Sequence, residues 1–114
     1  ARAFNQKEKA CCAIDHAEIL AIRKASKKLK NWRLDDCDIF VTLDPCPMCA
    51  SAIKQARIRN VYSALPNRDE NNDVLIRKIF EKDNCNPEVK FFSNLAVEKS
   101  EFLLQNFFAE RRKN

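Results

Sequence analysis

The chain has 114 residues and not one glycine, where ordinary usage of about 7% would supply several. Left-handed backbone positions must therefore fall to other residues. Asn31, Asn60 and the Asn71–Asn72 pair are the expected substitutes, since asparagine tolerates positive φ better than most side chains. No apolar run approaches the ~20 residues that a spanning helix needs, so no membrane segment is expected, and no signal peptide is read at the start. Repeats and low-complexity tracts are absent as well. Histidine, tryptophan, tyrosine and methionine occur once each. The sequence opens on Ala1-Arg2-Ala3 without an initiator methionine, as a processed or trimmed form of a longer chain would.

What is present suits one globular domain spanning 1–114, with 46% hydrophobic and 32% charged residues and enough length for a real core. The net charge of +5 and a pI near 9.0 point to an anionic partner. Six cysteines would allow a disulfide framework in a small secreted chain. A Cys-x-x-Cys with a distant histidine fits reduced thiols and a cytoplasmic setting better.

Apolar periodicity sets the elements. Ala1 to Asn5 reads as the end of a strand, and Gln6 to Ala13 as loop. A helix is expected from Asp15 to Leu29, with Ile19, Leu20, Ile22 and Leu29 sharing its apolar side. Asp15 stands as N-cap and Glu18 at capping-box spacing. Ile39 to Leu43 reads as a strand with Ile39, Val41 and Leu43 on one side. Asp44 then reads as N-cap and Pro45 as first residue of a helix to about Arg57. A strand at Val61 to Leu65, a polar turn at Pro66 to Asn72 and a helix at Asp73 to Phe80 follow, the last burying Leu75, Ile76, Ile79 and Phe80. A loop to Glu88 and a strand at Val89 to Phe92 lead to a long terminal helix, Val97 to Arg112. Alternating helices and short strands predict an α/β fold with parallel central strands.

The chemistry gathers at two helix starts. Cys46 and Cys49 lie three residues apart in Pro45-Cys46-Pro47-Met48-Cys49, near the positive end of a helix dipole, where thiols deprotonate readily and take soft metals. The only histidine, His16, opens the first long helix. One His and two Cys leave the fourth position of a tetrahedral Zn²⁺ open, which is the catalytic pattern, and a metal there lowers the pKa of bound water. Glu18, two residues past His16, projects elsewhere and is placed to move a proton. His-x-Glu with Pro-Cys-x-x-Cys is the signature of zinc nucleobase deaminases. Arg23, Lys24, Lys27, Lys28, Lys30 and Arg33 form a basic run without acids, readable as a solvated helix face or as a phosphate-tracking patch. Trp32 is expected in the core. Cys11, Cys12, Cys37 and Cys85 read as ordinary thiols.

With these motifs the sequence resembles the cytidine/deoxycytidylate deaminase superfamily, in particular its branch of bacterial tRNA-specific adenosine deaminases. The resemblance covers nearly the whole chain: His16 to Ile22, Asn31 to Leu34, Val41 to Ala50, Ala1 to Asn5 and Phe107 to Arg112 match that family's blocks. It implies a three-layer cytidine-deaminase-like fold, a central mixed sheet with helices on both faces. It also implies a helix, a strand and a pocket-lining segment ahead of the position of Ala1, which this sequence does not carry, so sheet and pocket are expected to be incomplete there. The implied reaction is zinc-dependent hydrolysis of the wobble adenosine of a tRNA to inosine. His16, Cys46 and Cys49 would hold Zn²⁺, and Glu18 would shuttle protons as hydroxide displaces ammonia. Substrate contacts are expected at Asn5, Ile14, Asp15, Pro45, Arg111 and Arg112. The partners implied are the tRNA anticodon loop and a second copy of the chain. Ala13-Ile14-Asp15, Ser51 and Pro87 depart from the family pattern.

Two other functions remain open on the residues alone. One is a deaminase of free bases or nucleosides of the cytosine or guanine type. The other is a non-catalytic zinc-stabilised RNA-binding module, in which Cys12 would close the metal site.

Overall fold

The computed structural model describes residues 1–4, 12–67, 69–95 and 107–111, with only the backbone of Glu70 and of 107–111. In chain order the elements are β1 (Arg2–Ala3), α1 (Ala17–Leu29), β2 (Cys37–Leu43), α2 (Pro47–Gln55), β3 (Asn60–Leu65), α3 (Glu70–Ile79), β4 (Lys90–Phe92) and β5 (Phe107–Arg111). They build one mixed sheet in the order β1-β5-β2-β3-β4. β2, β3 and β4 are parallel, with Ile39 opposite Val61 and Val61 opposite Phe91.

Alternation in β2 sends Cys37, Ile39 and Val41 into the core, each at most 2% exposed. They pack with Ala21 and Ala25 of α1, Ala50 and Ile53 of α2, and Ile76 of α3, so all three helices cover one sheet face. The larger apolar residues expected on α1, Ile19, Leu20, Ile22 and Leu29, are only half-buried. Its two alanines make the closest approach because they have no bulk to hold the helix off the sheet. On the other face the rings of Phe40, Tyr62 and Phe92 stack across the three parallel strands, 4.9 and 5.2 Å between centroids. The terminal helix expected from Val97 to Arg112 falls largely on 97–106 and 112, outside the described residues. Where the chain is described again, Phe107–Arg111 is a strand and not helix, antiparallel to both β1 and β2. Aromatic residues suit a pleated surface as well as a helix, and the ladder on either side supplies the backbone partners.

Other boundaries move for local reasons. α3 begins three residues before the expected Asp73, because the Asp69 carboxylate accepts the Asn71 N–H at 3.0 Å and caps it. The stretch read as an exposed turn is thereby partly helical, and Asn72 is buried. Leu75, expected inside, is 50% exposed, while Ile76 and Phe80 are buried. None of the expected asparagines takes the left-handed conformation. Lys30, Arg57 and Asn94 do, the first ending α1 with an Asn31 N–H to Ser26 carbonyl bond of 3.0 Å.

The loop after α3 is tied down by charge. Lys54, 8% exposed, donates from Nζ to the Glu81 carbonyl at 2.6 Å and pairs with Asp83 at 2.8 Å. The Asp83 carboxylate also accepts the N–H groups of Cys85 and Asn86. The Lys54 ammonium, and then these backbone donors, hold the Asp83 pKa well below the usual carboxylate range. A depressed folded-state pKa adds stability above the unfolded value of about 3.9 and loses it as pH falls toward the folded one. Asp83→Asn is therefore expected to melt below the parent at pH 7, with the gap closing as the pH drops under about 4. Thermal melts across pH 2–8 check this; a constant gap would mean the charge is not responsible.

Candidate metal centre

Parallel strands deliver their carboxyl ends to one edge of the sheet, where the following helices begin and ligands usually bind. There the N-caps of α1 and α2 meet. They are His16 and Cys46 themselves, neither making a side-chain capping bond. Asp15 and Asp44 were the expected caps, and each stands short of the real helix start. Pro47, not Pro45, is the first residue of α2. Asp44 is buried instead, accepting the Ser93 hydroxyl at 2.7 Å and donating its N–H to the Leu65 carbonyl at 2.9 Å. Asn72 Nδ2 donates to the Pro45 carbonyl at 3.2 Å. These bonds from β3, α3 and the end of β4 hold the turn that presents Cys46. Sequence reading missed both Asn72 and Ser93, because nothing local marks a polar residue that acts on a distant turn.

With both side chains free of capping, the ligand atoms converge. Sγ of Cys49 lies 3.5 Å from His16 Nδ1, and Sγ of Cys46 3.8 Å from it. The three atoms lie within 4.8 Å of one another. A tetrahedral Zn²⁺ with bonds of about 2.0–2.1 Å to nitrogen and 2.3 Å to sulfur has N–S edges of about 3.6 Å. The donor set fits. Cys49 is fully buried, His16 and Cys46 half-buried. Burial, and after it the negative charge of Glu18 and of Cys46, pushes the Cys49 thiol far up. That reverses the expectation of an easily ionised thiol: desolvation outweighs the helix dipole at this depth. A cation bound among these groups would turn each of those unfavourable charges into a favourable one. Cys12, the candidate fourth ligand, is not part of the cluster among the described residues.

Beside the cluster opens a cavity of about 460 Å³. His16, Glu18 and Cys46 line it, with Phe4, Val41, Thr42, Leu43, Asp44 and Asn67. Leu43, expected to pack inward with Ile39 and Val41, is 53% exposed because β2 ends at this mouth. Ile14, Asp15 and Pro45 stand outside the cavity wall, Ile14 exposed in a turn and Pro45 fully buried. Asn5 and Arg112 lie outside the described residues, and Arg111 is placed only as the last residue of β5. Phe4, Thr42 and Asn67 went unsignalled in the sequence, since each belongs to the site only through where its strand ends.

The family model of the MafB19-like deaminases matches residues 1–112. A tRNA-specific adenosine deaminase of Rickettsia typhi is 34% identical over 109 residues, covering 96% of this chain and 72% of that protein. A chloroplastic tRNA(adenine(34)) deaminase of Arabidopsis thaliana is 47% identical over 68 residues, 60% of this chain but only 5% of that much longer protein. A solved structure from a study of A-to-I editing by tRNA:A34 deaminases superposes with a TM-score of 0.70 at 33% identity, covering 88% of this chain and 72% of that one. The architecture is the cytidine-deaminase-like fold.

Proposed function

The chain belongs to the MafB19-like deaminase family, and from that premise we propose that it acts as a single zinc-dependent domain converting the wobble adenosine of a tRNA to inosine. One observation carries the reading: His16 and Cys46 of the three-residue cluster line one open cavity together with Glu18, with Cys49 buried beneath them as the third donor. The names of the relatives point to the same base and the same RNA.

Zinc held by His16, Cys46 and Cys49 would supply the Lewis acidity that makes water a nucleophile at neutral pH. Glu18 takes the proton from the attacking water and delivers it to the amino group, which leaves as ammonia. Phe4, Val41 and Leu43 give the planar base apolar walls, and Thr42 and Asn67 put polar groups within the same wall. Asn5, Arg111 and Arg112, with Ile14 and Asp15 further from the cavity, are proposed as outer contacts to the RNA; Pro45, expected among them from the sequence, is fully buried and has no surface to offer. Val74 and Leu75 on α3 and Met48 on α2, 61%, 50% and 37% exposed, are apolar enough to serve a homodimer. No helix among the described residues is long and apolar enough to cross a membrane, and a Cys-x-x-Cys pair used as metal ligands suits a reducing cytoplasm.

Incubating the zinc-loaded protein with an anticodon stem-loop carrying adenosine at the wobble position tests this. Nucleoside mass analysis is expected to find inosine. Turnover of free adenosine, cytosine or guanine with none in the stem-loop would favour a free-base deaminase instead.

A further inference from the structure

From Ala17 to Lys30 the only acid on α1 or its cap is Glu18 at the metal cluster. Beyond it Arg23, Lys24, Lys27, Lys28 and Lys30 are all exposed, and the three- and four-residue spacing lays them along one side of the helix. Lys24 is tethered to the Arg2 carbonyl at 2.9 Å. None of the other four joins an ion pair among the described residues. Dipole complementarity accounts for cations in the last turn only, which leaves Arg23 unexplained.

A second feature continues the stripe. Trp32, expected in the core, is 59% exposed, and the guanidinium groups of Arg33 and Arg57 sit 5.5 and 5.4 Å from its ring centroid. Asp35 pairs with Arg33 at 3.2 Å. Among the described residues Arg57 hydrogen-bonds backbone carbonyls, those of Gln55 and Cys85 at 3.0 and 3.4 Å, and joins no ion pair. The exposed indole thus holds two planar cations in place at low entropic cost, an arrangement suited to phosphate oxygens.

Position selects the partner. α1 starts at His16, so at about 1.5 Å per residue the stripe begins roughly 10 Å from the metal cluster and ends roughly 20 Å away. We infer that this stripe and the Trp32–Arg33–Arg57 group form a second RNA contact, which grips the backbone phosphates of the stem while the loop enters the cavity. It rests on the RNA-editing reading for the identity of the partner. An acidic protein would also be attracted, but a row leading directly away from the cavity rim suits one polyanion occupying both places.

The test compares the zinc-loaded wild type with Lys27→Glu/Lys28→Glu/Lys30→Glu and, as a milder change, Lys27→Gln/Lys28→Gln/Trp32→Leu. Equal zinc content and melting temperature verify that each variant is folded. Binding of the adenosine stem-loop is measured across a salt series, beside a single-stranded oligonucleotide of the loop alone. The charge-reversed variant is expected to bind the stem-loop at least about tenfold more weakly, with a salt slope smaller by about 2–3, and to lose much less on the loop oligonucleotide. Stem-loop affinities and slopes equal to wild type would overturn the contact. Inosine formation is scored on the same samples, which separates the two ideas. Salt-dependent loss of RNA binding without inosine from any sample upholds the contact and removes the editing reading. Inosine from wild type with unaltered binding by both variants does the opposite.

Discussion

Glu18→Gln is expected to keep its zinc and its fold while deamination slows by about 10²–10⁴-fold, the range in which a positioned general acid–base contributes. Glutamine preserves volume and one acceptor oxygen but cannot take up a proton, so the change removes proton transfer and little else. Glu18 lines the cavity beside His16 and Cys46 yet is not one of the three clustered donors, so metal content has no reason to fall. The measurement is single-turnover inosine formation at saturating RNA, with zinc measured on the same sample. Loss confined to the chemical step, with RNA affinity unchanged, is the signature of a group that acts on the reacting atoms. Residual activity within a few-fold of wild type would remove Glu18 from the mechanism and leave Asp44 as the carboxylate to try, since it shares the cavity wall.

The same comparison separates catalysis from a structural metal site. A zinc-stabilised binding module would be indifferent to Glu18, because a closed site makes no use of a base. Here the carboxylate stands where its charge raises the thiol pKa of Cys49. A carboxylate beside a thiol is unfavourable unless a cation joins them, so its place here is reasonable where function repays it.

The ligand cluster was legible because each of its parts lies within a few residues in the sequence: His16 with Glu18, and Cys46 with Cys49. Helical periodicity and proline placement then set both motifs at helix starts. The details that failed were those that depend on the rest of the molecule. Asp15 and Asp44 have good capping chemistry, yet Asp44 is claimed by Ser93, 49 residues away. Trp32 has the hydrophobicity of a core residue, but it follows the left-handed Lys30, and two arginines hold it at the surface. The cavity wall was invisible for a related reason. Phe4, Leu43 and Asn67 come from β1's end, β2's end and the loop after β3, and only the parallel order of β2 and β3 with the return of α1 brings those ends together. Phe107–Arg111 shows the limit of periodicity: the same aromatic pair satisfies a helix face or a strand, and the sheet position between β1 and β2 decides it.

Cys49→Ser is expected to have the second large effect, on the metal itself. Zinc should drop from about one per chain to less than about a tenth, because the variant keeps two of three protein ligands. Cys49 is the most demanding of the three positions: it is fully buried, and burial together with Glu18 and Cys46 opposes its ionisation. Only a cation bound at that sulfur compensates, and a serine hydroxyl does not ionise to accept one. By mass action, zinc at 100–1,000 times its dissociation constant stabilises the wild type by roughly 3–4 kcal/mol, a rise of about 12–17 °C for a chain this size. Melting with and without added zinc should show that rise in the wild type and not in Cys49→Ser. Cys85→Ser, at an exposed thiol remote from the cluster, should keep it. A zinc-independent melting temperature in the wild type would refute the metal centre, whereas a rise abolished by Cys85→Ser would place the ion elsewhere.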